Sequence, residues 1–195
     1  MRSMTLEYQI TTWPEIVKKT LSLCRKIKAS GYKPDVLVFI LRGGATPASI
    51  LSDCLGIKNV VAVKAELYEE IGKPGKQVKI VQPLTVDVKD KSVLIIDDVS
   101  DTGMTLQAIV NHVKERGARE IRVATIHYKP WSKYVPDYFI EETKKWIVYP
   151  WEYHEFISEI SQKITDSELK GEDEERAKRA LERVQQLLRE LNRED

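Results

Sequence analysis

The strongest constraint on the fold is an apolar run that ends in two adjacent aspartates, in VLIIDDVSDTGMTL at 93–106. A run without polar alternation is typical of a strand covered on both faces. Helical spacing follows at 105–117, and similar apolar runs lie at 35–41, 59–65 and 120–128. This alternation predicts an α/β protein with a Rossmann-like parallel sheet flanked by helices. In such sheets, ligands bind beyond the carboxyl ends of the strands.

Further elements fill the gaps between these strands. Helical spacing at 13–30 and 46–56 predicts two helices. The segment 66–77 is polar and contains two glycines and a proline, so we expect a mobile loop there, with a short strand at 78–84. Closure of this region, taken as 66–80, would exclude water from a ligand.

Composition excludes several classes of protein. The net charge of the 195 residues is +1, which argues against a nucleic-acid binder, and no apolar run has the length of a membrane span. The first residues show no signal-peptide pattern, so we expect a cytoplasmic protein. Cys24 and Cys54 form no CxxC motif. In a reducing cytosol we expect them to be small buried apolar side chains.

The chain changes character twice near its end. Prolines and aromatic residues concentrate after position 128, which indicates a small irregular hood over the strand ends at about 128–157. The remainder is highly charged. We therefore divide the chain into a core with its hood, 1–157, and a helical extension, 158–195. The extension is predicted to form an amphipathic helix from apolar residues at spacings of three and four, namely Ala177, Leu181, Val184, Leu188 and Leu191.

The two aspartates and the loop after them have the chemistry of a sugar-phosphate site. Asp97 and Asp98 at a strand end, if exposed, could accept hydrogen bonds from the two hydroxyls of a ribose. The following loop offers backbone N–H groups and the hydroxyls of Ser100, Thr102 and Thr105 to a phosphate. An N-capped helix after a buried strand, without a ligand, is the structural alternative.

The segment VLIIDDVSDTGMT resembles the PRPP-binding signature of type I phosphoribosyltransferases. The resemblance implies that Asp97 and Asp98 bind the ribose and Mg²⁺, directly or through water, and that Asp101 is the general base. It assigns the 5-phosphate to the loop Ser100, Asp101, Thr102, Gly103, Met104 and Thr105.

A second loop, in FILRGGATPA at 39–48, follows the first core strand and matches the pyrophosphate loop of that family. Its two glycines let the backbone approach a diphosphate, and an arginine adds positive charge. A Gly-Gly turn with a solvent-facing arginine is the alternative. The residues implied are Leu41, Arg42, Gly43 and Gly44.

Three short motifs resemble the xanthine/guanine branch of the 6-oxopurine enzymes: Lys129-Pro130, Trp146-Ile147 and Pro150-Trp151-Glu152. Lys129 would donate to the purine O6, which rejects a 6-amino group. Trp146 would stack on the base, the carbonyl of Ile147 would accept from a 2-amino group, and Glu152 would complete the base site. A solvated lysine and a core tryptophan are the alternatives.

The resemblance implies transfer of the 5-phosphoribosyl group from PRPP to N9 of guanine, hypoxanthine or xanthine, with Mg²⁺, giving the purine nucleoside monophosphate and pyrophosphate. A homodimer or higher oligomer is expected, with no membrane or nucleic-acid partner. Three alternatives stay open: a PRPP- or nucleotide-sensing regulator on the same fold, an enzyme acting on adenine or a pyrimidine, and an assembly role for the extension.

Overall fold

The computed structural model describes residues 6–69 and 76–192. Within that part, contacts divide the chain into two units. The sheet unit comprises Ile16–Thr143, and the terminal unit comprises Met1–Glu15 with Lys144–Asp195. The described elements, in chain order, are β1 (Tyr8–Ile10), α1 (Trp13–Ala29), β2 (Val36–Ile40), α2 (Ala45–Leu55), β3 (Val60–Glu69), β4 (Lys76–Gln82), β5 (Ser92–Ser100), α3 (Met104–Glu115), β6 (Glu120–Tyr128), β7 (Glu141–Glu142), β8 (Trp146–Val148), α4 (Tyr153–Thr165) and α5 (Glu172–Leu191).

The sheet unit confirms the predicted α/β fold. Its six strands lie in the order β4-β3-β2-β5-β6-β7, and every pair is parallel except the antiparallel pair β3–β4. The central strand β5 pairs with β2 on one side and β6 on the other. Because the three strands are parallel, their carboxyl ends meet at one edge of the sheet.

The apolar run of β5 is buried on both faces, as predicted. Val93 and Ile95 belong to a core cluster with residues of α3, whereas Leu94 and Ile96 belong to a cluster with residues of α1 and α2. None of the four side chains is exposed to solvent. Successive side chains of a strand point to opposite faces, so a strand between two layers of helices needs apolar residues at every position.

The predicted mobile loop at 66–77 is wrong at both of its ends. Residues 66–69 continue β3 and pair with β4, with Leu67 opposite Val78. The glycines and the proline that suggested a loop lie at 72–75, within a segment outside the described residues. Lys73 falls in that segment. The strands predicted at 59–65 and 78–84 are present as β3 and β4, but both extend further into the polar segment than their apolar residues indicated.

The two cysteines are not free, which corrects the expectation of separate buried thiols. Cys24 on α1 and Cys54 on α2 form a disulfide, with Cα atoms 6.5 Å apart. The expectation rested on a reducing compartment. The sequence does not show that these helices share one face of the sheet, so it could not bring the cysteines together.

The terminal unit has its own core. β1 pairs in parallel with β8, and α4 and α5 pack with them around Val148, Tyr153 and Phe156. The predicted amphipathic helix in the extension is confirmed as α5. Its buried side chains are Ala177, Ala180 and Val184, whereas Leu181 and Leu188 are partly buried and Leu191 is exposed. Among the described helices, none is both long enough and apolar enough to cross a bilayer.

The domain boundary between 157 and 158 stays a prediction. In the structure, α4 passes through that position without interruption. The segment assigned to the hood is shared between the units, because residues up to Thr143 belong to the sheet unit and those from Lys144 to the terminal unit.

We predict that the disulfide stabilises the fold measurably. It closes a loop with a sequence separation of 30 residues, for which chain entropy gives about 4 kcal/mol. Reduction should lower the melting temperature by about 10 °C for a chain of this size. Differential scanning calorimetry with and without reductant tests this. The double variant Cys24→Ala, Cys54→Ala is the control and should show no response to reductant. An unchanged melting temperature for the reduced wild type would contradict the prediction.

Candidate active site

The two aspartates of the signature lie within β5 and differ in exposure. β5 continues to Ser100, three residues beyond the predicted end at 97. The side chain of Asp97 is half-buried, whereas Asp98 is only 7% exposed, which corrects the expectation of two exposed carboxylates. The backbone N–H of Asp98 donates to Oδ1 of Asp97 at 3.0 Å. The strand therefore turns the two carboxylates to different environments.

The second predicted loop lies directly beside Asp98. It follows β2, contains a cis peptide bond between Leu41 and Arg42, and leads into α2. A side chain at position 43 would overlap the Asp98 carboxylate, and one at position 44 would overlap backbone atoms of Ile40 and Ile96. Both glycines are therefore required by close packing, and the structure brings the Arg-Gly-Gly loop and the Asp-Asp pair together.

The predicted 5-phosphate loop at 100–105, here called the signature loop, lines a small cavity at the carboxyl end of β5. Its volume is about 140 Å³. Gly103 has a φ of +79°, which lets the chain turn into α3. The residues that line the cavity are Leu67, Asp97, Val99, Ser100, Asp101, Thr102, Gly103, Thr105 and Leu106. Every residue of the predicted 5-phosphate loop except Met104 is thus brought around one space.

Residues of the segment after β6 form hydrogen bonds with this loop and pack against it. The buried hydroxyl of Ser100 donates to the carbonyl oxygen of Tyr134 at 2.7 Å and lies 2.8 Å from the hydroxyl of Ser132. The backbone N–H of Lys133 donates to the carbonyl oxygen of Thr102 at 3.0 Å. A side chain at Gly103 would overlap the backbone of Tyr134. These bonds hold the loop in one shape before any ligand is present.

A tryptophan that the motifs did not predict joins two of the predicted residues. The indole Nε1–H of Trp131 donates to Oδ1 of Asp101 at 3.2 Å. The Nζ atom of Lys129 lies 5.5 Å from the centre of the Trp131 ring, within the range of a cation–π contact. An aromatic residue directly after Lys129-Pro130 was visible in the sequence, but only the fold shows that it reaches the loop after β5.

Lys129 is buried at the end of β6. The side chain is only 6% exposed, and burial lowers its pKa, while the negative charge of Asp101 acts in the opposite direction. Two residues earlier, the fully buried His127 lies 2.9 Å from the Nζ atom of Lys19. Burial, followed by the charge of Lys19, lowers the pKa of His127 to about 4, so the imidazole is neutral at pH 7.

The other predicted base-site residues lie in the terminal unit. Trp146, Ile147 and Glu152 line one cavity of about 130 Å³. The Trp146 side chain is 55% exposed, so it is not the core residue that was weighed as an alternative. The remaining lining residues are Val148, Glu155, Phe156 and Glu159.

The site suits a metal that takes few protein ligands. Among the described residues, no group of three or more His, Cys, Asp or Glu side chains is arranged to hold a metal ion. The candidate ligands are the adjacent carboxylates of Asp97 and Asp98, of which Asp97 lines the cavity. Mg²⁺ keeps several waters and is bound through one or two carboxylates together with phosphate oxygens, so this pair fits it.

Comparisons with known proteins agree with this geometry. Residues 8–156 match the family described as phosphoribosyl transferase domain. A xanthine-guanine phosphoribosyltransferase of Idiomarina loihiensis is 27% identical over 146 residues, which cover 73% of this chain and 86% of the relative. The crystal structure of a purine phosphoribosyltransferase from Pyrococcus horikoshii is 40% identical, with a TM-score of 0.69, and covers 75% of this chain and 94% of its own.

The structure of a protein from Neisseria gonorrhoeae with bound ppGpp is 25% identical, with a TM-score of 0.67. That alignment covers 92% of this chain and 98% of the other. The family match spans most of the chain and includes both loops that enclose the end of β5. The chain therefore belongs to the type I phosphoribosyltransferases and resembles their xanthine/guanine branch.

Proposed function

We propose that this enzyme transfers the 5-phosphoribosyl group of PRPP to N9 of a 6-oxopurine: guanine, hypoxanthine or xanthine. The products are the purine nucleoside monophosphate and pyrophosphate, as in purine salvage in the cytoplasm. The observation that carries the proposal is the cavity at the end of β5, where Asp97 and a hydroxyl-rich loop at a helix N-terminus line one space. The relatives named for xanthine and guanine support the choice of base.

We assign the parts of PRPP to the two loops. The 5-phosphate binds the backbone N–H groups of the loop that ends at Thr105 and the hydroxyls of Thr102 and Thr105, because α3 begins there and its N-terminus favours an anion. The hydroxyl of Ser100, expected to bind the phosphate, instead donates to Tyr134. The pyrophosphate binds the loop from Leu41 to Gly44, with Arg42 adding charge. Asp97 and Asp98 hold the ribose and contact Mg²⁺ directly or through water. When bound, that ion neutralises charge on the diphosphate.

The base is recognised by groups that discriminate by hydrogen bonding. Lys129 donates to the purine O6, and an ammonium cannot accept a bond from a 6-amino group, so adenine is disfavoured. The exposed ring of Trp146 stacks on the base. The carbonyl of Ile147 and the carboxylate of Glu152 accept from the side of the ring that carries the 2-amino group of guanine.

The proposed reaction exchanges one bond at C1 of the ribose for another and then removes one proton from the purine. The bond from C1 of the ribose to purine N9 forms as the bond from C1 to the pyrophosphate oxygen breaks, through a transition state with oxocarbenium character. The purine then carries an excess proton at N7. Asp101 removes that proton as the general base.

Trp131 is proposed as a positioning residue for this step. Its N–H bond orients the Asp101 carboxylate, and its ring face contacts the Lys129 ammonium. One rigid side chain would thus set the distance between the group that takes the proton and the group that binds O6. The support for this role is the pair of contacts, since Trp131 itself is 43% exposed and adds little to the core.

Transfer itself is the first prediction to test. With PRPP and Mg²⁺, guanine, hypoxanthine or xanthine should react and adenine should not. Asp101→Asn should lower kcat by about 100-fold or more. Lys129→Ala should lower kcat/KM for oxopurines by about 10- to 100-fold and weaken discrimination against adenine. Lys133→Ala, an exposed lysine nearby, is the control. Binding of PRPP without transfer to any base would instead favour the regulatory alternative.

The two glycines of the pyrophosphate loop should respond differently to substitution. Gly43→Ala displaces the Asp98 carboxylate, so PRPP should bind at least about tenfold more weakly while the melting temperature changes little. Gly44→Ala meets backbone atoms and should lower the melting temperature clearly. Calorimetric titration with PRPP and thermal melts measure both, with the exposed Ser49→Ala on α2 as the control. Wild-type PRPP affinity in Gly43→Ala would disprove the assignment of Asp98.

Two substitutions separate the two contacts of Trp131. Trp131→Phe keeps a ring beside Lys129 and removes only the N–H donor, so kcat should fall by about tenfold with little change in KM for the base. Trp131→Leu also removes the ring face, so KM for the base should rise as well. The pH dependence of kcat in Trp131→Phe should differ from that of the wild type. If Trp131→Phe retains the wild-type kcat and pH profile, the positioning role is refuted.

A further inference from the structure

A second cavity lies in the terminal unit, between β1 and α5. Its volume is about 390 Å³. Arginines contribute most of its charge, and no residue of the proposed phosphoribosyl transfer lines it. The lining residues are Glu7, Tyr8, Ile10, Arg176, Arg179, Ala180 and Arg183.

Two residues that line this cavity each carry a buried hydrogen-bond donor without an acceptor. In the described part of the chain, only three buried side-chain nitrogen or oxygen atoms have no hydrogen-bond partner, and two of them are Tyr8 Oη and Arg176 Nη1. Burial, together with the charge of Asp173, raises the pKa of Tyr8, so its hydroxyl keeps its proton at pH 7. An unsatisfied buried donor is costly. Two of them on one cavity indicate that an acceptor belongs there.

The charge of the cavity favours an anionic acceptor. Arg176, Arg179 and Arg183 follow each other at spacings of three and four, so they share one face of α5. Neither Arg179 nor Arg183 forms an ion pair with another described residue. The one carboxylate on the cavity wall, Glu7, lies 3.4 Å from Lys145. Three cations therefore face one carboxylate that is already paired.

The acidic residues at the start of α5 offset only part of this charge. Glu172 contacts Nη2 of Arg176 at 3.0 Å, which leaves Nη1 unsatisfied. Asp173 accepts a hydrogen bond from the backbone N–H of Leu6. A guanidinium presents several donors in a planar fork, which matches the oxygens of a phosphate group.

We propose that this cavity is a second anion site, specific for a diphosphate group. Tyr8 Oη and Arg176 Nη1 donate to one phosphate, and Arg179 and Arg183 bind the next along the helix. The three arginines span about 10 Å of the axis of α5, which is more than one phosphate group needs. The diphosphate is either free pyrophosphate or that of a nucleoside diphosphate.

Isothermal titration of the full chain with inorganic pyrophosphate, and separately with GDP, tests the proposal. Besides binding at the pyrophosphate loop, the wild type should show a second binding event that the double variant Arg179→Gln, Arg183→Gln weakens by about 100-fold. Tyr8→Phe removes only the hydroxyl and keeps the ring packed on Phe156. It should weaken the same event by about tenfold. Inorganic phosphate should bind more weakly than pyrophosphate. An equal response to pyrophosphate and GDP identifies the diphosphate group as the ligand, and a response to one alone identifies its source.

A matched control lies on the same helix. Arg189→Gln removes a charge from the last turn of α5, outside the cavity, and should leave the event unchanged. If Arg189→Gln weakened binding equally, the effect would reflect only the total positive charge of α5, and the proposal would be overturned. Titrations in which neither cavity variant alters any binding event would also overturn it. All cavity variants should retain wild-type transfer in the assay with PRPP and guanine. Because the binding event does not require that transfer, an inactive chain that still binds pyrophosphate here would refute only the proposed reaction.

Discussion

The whole site depends on the pairing of β5 with its two parallel neighbours. β2 leads into the Arg-Gly-Gly loop, β5 into the signature loop, and β6 into Lys129 and Trp131. These segments are far apart in the chain, and only the parallel register places them at one edge. Successive side chains of β5 pack into different cores, so a slip of that register by one residue would exchange the side chains of the two cores.

Close approach of backbones then sets the fine geometry. Gly43 packs on the Asp98 carboxylate, and Gly103 packs on the backbone of Tyr134. Neither position has room for a side chain. The hydroxyl of Ser100 is used for internal bonding. This arrangement orders the loop around a cavity without help from a ligand, so less ordering entropy is lost when an anion binds.

Much of the fold could be predicted from the sequence, for physical reasons that differ between elements. The apolar run of β5, the helical spacings and the glycines of both loops carry local signals. The structure confirms the α/β fold, and most residues of the signature loop line one cavity. The extension of β3 to Glu69 and the start of β4 at Lys76 were missed because these strand ends are polar. The contacts of Trp131 and the disulfide were missed because each depends on which elements the fold places side by side, and no local pattern records that. The domain boundary at 157 and the roles of the base-site residues stay predictions.

The bond between Cys24 and Cys54 makes a covalent ring of the chain from α1 to α2. All of β2 and the Arg-Gly-Gly loop lie inside that ring. Because the disulfide joins both ends of this segment, its local opening is restricted. The hairpin of β3 and β4 lies outside the ring. Amide hydrogen exchange in the two regions would accordingly report different kinds of motion, and the Arg-Gly-Gly loop belongs to the more restricted region.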